Sequence, residues 1–478
     1  DFLMAYSSHQ YASVESKRKA GLTVLYMFEL DEAPRQNADY FFVERRGDWS
    51  ALVCVFAEYI KEELSAIIDK TVSEKYDEDD KIPYDEMLTF LINTEHYYLQ
   101  PRLARAIPEE LFKLMDFFWF RRNDEKDRWV VRPYREPEYY CGIAEHQGPG
   151  NAFFPPSGLW GSTAALMAYH PVETVDFIIR LMNRCVTNLR KRSVAPYQVA
   201  ETILLVDGVE NHVCYSQSLW DLYRGTGNYS MPHLLECVHM AMENGLLSTG
   251  KDKKPDEQTK QLLWKIMKES HSASLMAIVA SVVCAYPDEL FEEALVLIGN
   301  YDFLILDDLR KQRERNALSI EFMYHRHLDM FKERETAKKK PHRAFSLSDL
   351  CIQYQIAFKE YPNEANEKKF QSIRAVVDSL KKKANMSVAN LGISTDDMLM
   401  HIDYYKHKRE EVKVEGVEAV QMTPILNEKQ QQREEQRTRG MDNFLRGIYL
   451  KNWVDSRHKR AYDKSSAMKY DKNPLKAF

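Results

Sequence analysis

Helical periodicity dominates the distribution of apolar and polar positions. In VETVDFIIRLMNRCVTNLRK (172–191), Val175, Ile178, Ile179, Met182, Val186 and Leu189 recur at three and four and fall on one helical face. Arginine and lysine gather at its C-terminal end, where they suit the negative end of the helix dipole. The same period runs through 51–68, 84–92, 232–247, 258–269, 288–299 and 350–359, and predicts an amphipathic helix in each.

A short punctuation recurs between these runs. It reads AYHPVE at 168–173, AYPDE at 285–289, KEYPNE at 359–364 and AIPEE at 106–110. Proline cannot continue the preceding helix but fits the first position of the next, and acidic side chains then face the positive end of the new dipole. Four such joints predict antiparallel helix pairs stacked in series. The expected fold class is mainly α, an irregular α-solenoid or HEAT- or TPR-like helical array.

Two segments switch to strand character. VAETILLVDGVENHVCYSQ (199–217) holds two β-rich runs around Asp207-Gly208, and EVKVEGVEAVQMTP (411–424) repeats the arrangement around Glu415-Gly416. Both are expected as short β-hairpin inserts. Three regions follow: an N-terminal helical region (1–145), a helical array carrying a Gly/Pro-rich aromatic loop and the first hairpin (146–340), and a C-terminal helical region with the second hairpin and a basic, aromatic tail (341–478).

Charge changes this picture in one respect. The net charge is −6, yet residues 331–478 hold 30 basic against 21 acidic groups, a local +9, leaving −15 on the first 330. The two parts are therefore suited to different partners, or to each other. The longest apolar run, Leu275 to Tyr286, is too short for a bilayer span of about 20 residues, so no membrane association is expected. Seven cysteines, at 54, 141, 185, 214, 237, 284 and 351, form no close pair. That argues against a disulfide framework or zinc knuckle and for a cytoplasmic location. A chain opening on Asp1 is read as a processed product or a portion of a longer protein.

The stretch EHQGPGNAFFPPSGLWGSTAALMAYHP (145–171) invites a phosphate-binding reading. A P-loop needs G-x-x-x-x-G-K-[ST] after a strand; Gly158-Leu-Trp-Gly161-Ser162-Thr163 lacks both the lysine and the spacing. A fixed loop with Ser162 or Thr163 capping the next helix explains these residues better, and its aromatics are candidates for a contact surface. Arg224-Gly225-Thr226-Gly227-Asn228 follows a helical run and completes no G-x-G-x-x-G. His325 and His327 lie on a helical pattern that points them about 200° apart, and His401, Asp403 and His407 share no helix face. No G-x-S-x-G elbow is present, and Arg46-Gly47-Asp48 reads as a turn. No metal or cofactor is expected. The tail 451–478 carries eight Lys/Arg against three Asp, with aromatics interleaved, a composition able to meet phosphates and stack on bases.

FFPPSGLWGSTAALMAYHPVETVDFIIRLMN (153–183), SLWDLYRGTGN (218–228) and SASLMAIVASVVCAYPDE (272–289) resemble the helical region of large bacterial STAND-type ATP-binding proteins of the antiviral-defence kind. The resemblance implies a sensor or scaffold portion downstream of an ATPase domain, and the chain itself lacks a Walker A match. The expected function is a non-catalytic protein-recognition or scaffold module whose partner is another protein or other domains of a longer chain. Its candidate contacts are Phe153, Phe154, Trp160, Trp220, Tyr223 and Arg224. The alternative is a nucleic-acid-binding protein using Lys451, Trp453, Arg457, Lys459, Arg460 and Tyr462. A third reading is an enzyme whose site is assembled from distant residues.

Overall fold

The computed structural model describes residues 2–31, 41–73, 86–93, 97–120, 140–143, 153, 155–192, 198–225, 231–248, 254–316, 328–384, 395–414 and 417–426, and six helical positions between 428 and 439. Over these the chain is mainly helical, with two antiparallel two-stranded sheets. Its contacts divide it into two units, Asp1–Ser387 and Val388–Phe478.

The first unit opens with α1 (Phe2–Ser8), α2 (Val14–Asp31), α3 (Phe41–Phe56), α4 (Lys61–Ser73), α5 (Glu86–Asn93), α6 (Gln100–Ala106) and α7 (Pro108–Trp119). It continues with α8 (Thr163–Tyr169), α9 (Pro171–Arg192), the hairpin β1 (Ala200–Val206) and β2 (Val209–Tyr215), then the single turn α10 (Gln217–Trp220). After these come α11 (His233–Ser248), α12 (Glu257–Glu269), α13 (Ala273–Ala285), α14 (Phe291–Ile298), α15 (Tyr301–Asn316), α16 (Leu328–Lys338), α17 (Leu347–Glu360) and α18 (Glu364–Ala384).

The proline joints divide into two kinds. At Pro108 and Pro171 the proline opens the next helix, as expected. At Pro287 and Pro362 it sits in the turn, and the helix begins later, at Phe291 and Glu364. In the third joint Leu290 N–H donates to the Tyr286 carbonyl, closing a full turn before α14 starts. Arg46-Gly47-Asp48 corrects an expectation: it lies inside α3 rather than in a turn. A helix-interior glycine costs roughly 1 kcal/mol relative to alanine, which the apolar run that follows, buried from Ala51 to Ala57 except at Leu52, offsets.

α13 is the centre of this unit. Its sequence, ASLMAIVASVVCA, is apolar on every face, and residues 273–283 are all buried. A helix without a polar face can be stable in water only when surrounded. It packs against α10, α11, α12, α14, α15 and α17, and against β2. At about 1.5–3 kcal/mol for each fully buried Val, Leu, Ile or Met side chain, this helix is among the strongest determinants of the fold. Amphipathic α9, by contrast, presents one face to α8, α11 and α12.

The first hairpin forms where the sequence places it. Asp207 and Gly208 both take positive φ, 51° and 78°, the primed turn that matches the twist of its strands. Register runs from Ala200 opposite Tyr215 to Val206 opposite Val209. The sheet is fastened at both edges: Cys214 N–H donates to the His271 carbonyl at 2.8 Å, and Asn300 Nδ2 donates to the Ile203 carbonyl at 3.0 Å.

The second unit contains α19 (Thr395–Ile402), the turn Tyr404–Lys406, and the hairpin β3 (His407–Val414) with β4 (Val417–Pro424). Ile402 and Asp403 are buried, Asp403 accepts the Tyr405 N–H, and Ile425 N–H returns to the Lys406 carbonyl at 2.8 Å.

Candidate functional site

The loop that invited a phosphate-binding reading is built around a carboxylate. Glu333 of α16 accepts from the Ser157 hydroxyl at 2.8 Å and the Gly158 amide at 3.3 Å through one oxygen, and from Asn244 Nδ2 at 2.6 Å through the other. The amide that would have faced a phosphate already holds an anion of the chain itself. Gly158 rests on α11, where an added Cβ would stand 2.9 Å from the Ala241 nitrogen. Gly161 takes φ +66°, and its added Cβ would lie 2.5 Å from the Ile92 carbonyl oxygen. The Ser162 hydroxyl does not cap α8 by its side chain; it donates to the Leu91 carbonyl at 3.0 Å and lies 2.7 Å from Gln100 Oε1.

The candidate contact aromatics turn inward. Phe153 and Trp160 are buried, with edge-to-face rings 6.0 Å apart, and Trp160 Nε1 donates to the Pro155 carbonyl at 2.9 Å. The expectation that this loop projects as an aromatic surface is therefore corrected at both residues. Burying a ring of this size is strongly favourable, and once the indole N–H has a partner nothing polar holds it at the surface. Phe154 lies outside the described residues.

Trp220, Tyr223 and Arg224 are interior as well. Trp220 Nε1 donates to Asp307 Oδ1 at 3.1 Å, and its ring packs on Phe303 at 5.2 Å. The Arg343 guanidinium lies 5.0 Å from the Tyr223 ring centroid, and burial raises the pKa of that phenol. Arg224 lies 3.8 Å from Asp221. Gly225 ends the turn Leu222–Arg224 with φ +59°, facing Met240, which accounts for that glycine without a dinucleotide.

These side chains belong to a buried charge network that periodicity did not reveal. Arg310 makes a two-pronged pair with Asp307, at 2.9 and 3.1 Å, and donates onward to the Arg343 and Phe345 carbonyls. Burial alone would lower the Arg310 pKa, but the Asp307 charge beside it raises it instead. Arg343 in turn pairs with Glu243 of α11, which also accepts the Ser281 hydroxyl of α13. Burial pushes the Glu243 carboxyl up, and Arg343 with its hydrogen-bond partners more than reverses this, to about 2. The signal available beforehand was LDDLR (306–310), acids two and three residues before an arginine on one helix; the partners came from elsewhere.

The arrangement most like catalytic machinery is also interior. His239 Nδ1 contacts the Leu235 carbonyl at 2.7 Å, which sets the tautomer, and Nε2 faces the Ser274 hydroxyl at 2.8 Å. Burial lowers the His239 pKa to about 4. Both side chains are fully enclosed, and the contact ties α11 to α13. Among the described residues no group of three His, Cys, Asp or Glu could hold a metal. His401 is exposed, His407 Nδ1 contacts the Asp403 carbonyl at 2.9 Å, and His325 and His327 lie outside the described residues.

What the first unit does expose is the outer side of the hairpin. Leu204, Val206 and Val213 are buried, whereas Ile203 and Leu205, on the opposite face, are 47% and 56% exposed. Glu201, Asp207, Glu210 and His212 rim them; Glu201 meets Arg190 at 2.6 Å, and Asp207 meets Lys268 at 2.6 Å. An apolar strip bounded by charge on a pinned, two-stranded sheet is a surface that can dock a polypeptide.

The sequence matches no protein-family model and no curated protein. Among the described residues no helix is long and apolar enough to cross a membrane. The nucleic-acid candidates Lys451, Trp453, Arg457, Lys459, Arg460 and Tyr462 lie outside the described residues.

Proposed function

We propose that this chain is a non-catalytic helical scaffold that recognises a protein partner, with the hairpin Ala200–Tyr215 as its contact. The observation that carries the reading is the exposure of Ile203 and Leu205 on a sheet whose other face, with Leu204, Val206 and Val213, is turned into the core. Exposed apolar side chains on a rigid support lose little conformational entropy on docking. The finer architecture is a series of antiparallel helix pairs, supported by the packing of α6 on α7, α8 on α9, α13 on α14 and α17 on α18 across the proline joints. The resemblance to STAND-type helical regions supports a sensor role for such a scaffold, with the target meeting the hairpin.

The test is capture of partners from the native cytoplasm by the chain and by an Ile203→Lys/Leu205→Lys variant of equal thermal stability, each with and without nuclease. A stoichiometric protein held by the first and lost by the second supports the reading. Equal capture by both, or capture of nucleic acid alone, overturns it.

A further inference from the structure

Three carboxylates meet where α15 joins α17, and one of them is unlike the others. Asp307 is paired with Arg310 and also accepts the Leu347 amide at 2.8 Å; Asp349 is paired with Lys311 and closes the capping box of α17 onto Ser346. Asp308 has no ion pair among the described residues. Its two oxygens accept the Ser346 hydroxyl at 2.7 Å and the Ser348 hydroxyl at 2.8 Å, both from the N-terminal end of α17. The charges acting on it most strongly, Asp307 and Asp349, have its own sign.

We propose that Asp308 is a proton-responsive clasp between α15 and α17, taking up a proton as the two helices close and releasing it as they part. The reason is geometric. Closing the joint partly buries a carboxylate that already lies beside Asp307, brings the like charge of Asp349 up to it and supplies only neutral donors in return. Burial, outweighing the two serine hydrogen bonds, pushes its carboxyl up to about 6. In the opened joint the group returns to the ordinary carboxylate range near 4. A carboxylate whose pKa is higher in the closed form opposes closure when ionised, and that opposition is relieved as pH falls through about 6. Mild acidification therefore tightens the docking of α17, against the usual direction for a carboxylate.

Other ionisable groups surround this joint. Arg310 and Lys311 share the helix of Asp308, Asp349 lies on α17, Cys284 on α13, Glu293 on α14, and Asp221 follows α10. His342 and Arg343 come from the turn Pro341–Ala344. The test compares variants at Asp308, which leave all of these groups in place.

Amide hydrogen exchange at Leu347, Asp349 and Leu350 in the full chain, corrected for intrinsic rate, reads the opening of the joint. Between pH 7 and pH 5 the opening equilibrium is expected to fall about tenfold in the native chain and to stay level in Asp308→Asn. A native chain with no pH dependence, or a variant with the same dependence, overturns the proposal. If Asp308→Asn fails to fold, the carboxyl carbon of Asp308 in the native chain, followed by NMR, decides instead. A titration midpoint near 6 supports the clasp and one near 4 rejects it.

Discussion

The guanidinium of Arg343, on the turn Pro341–Ala344, lies on the carboxylate of Glu243 in α11, one hundred residues earlier in the chain, and both groups are buried. Neither could sit there alone. Arg343→Met leaves Glu243 as an uncompensated buried charge and is expected to destabilise the first unit by about 3–5 kcal/mol. Glu243→Gln/Arg343→Met removes both charges and is expected to recover most of that loss. Chemical denaturation of the three proteins checks this; a double variant as unstable as the single one refutes it.

Glu243 also sets part of the acid response. Its carboxyl is held down at about 2, so its stabilising contribution is complete above the ordinary carboxylate range and is lost as pH falls from about 4.5 towards 2. His239, lowered to about 4, acts earlier: its contribution is complete above its ordinary value of 6.5 and is lost as pH falls from there towards 4. Stability measured from pH 7 to 4 is expected to drop by up to about 3 kcal/mol through this histidine. His239→Gln should flatten that segment; an unchanged slope would assign it elsewhere.

Two glycines with nearly the same φ separate backbone strain from steric exclusion. Gly208 has φ +78° and nothing within 4 Å of an added Cβ, so Gly208→Ala is expected to cost about 1–2 kcal/mol from the left-handed backbone alone. Gly161 has φ +66° with the Ile92 carbonyl 2.5 Å from the added Cβ, and Gly161→Ala should cost clearly more. Melting temperatures of the two variants rank them, and equal shifts would remove the role given to Ile92.

The hairpin allows the same comparison between faces. Leu205→Ala, on the exposed side, is expected to change stability by no more than about 0.5 kcal/mol. Leu204→Ala, one residue away and fully buried, should cost about 2–5 kcal/mol. Thermal unfolding of the pair reads the register directly, because a slip of one residue would exchange the two values.

The sequence by itself determined the elements. Helical periodicity marked α9, Pro108 and Pro171 marked where two helices begin, and Asp207-Gly208 marked the hairpin, because each is a local consequence of backbone sterics and of polar and apolar spacing over a few residues. The apolar run Leu275 to Tyr286 showed by itself only that it is too short for a bilayer, and the structure made it the buried helix α13, since a helix apolar on every face has to be covered. The tertiary structure decided which side chains the aromatic loop and the charged residues would meet. Trp160 and Trp220 carry the same composition signal whether they face water or a core, and only the approach of Pro155 and Asp307 to their N–H groups made burial favourable. Glu333 on Gly158, Arg343 on Glu243 and the two serines on Asp308 join residues far apart in the chain. Such pairings have no period to read, because their energy depends on desolvation that exists only once the helices are packed.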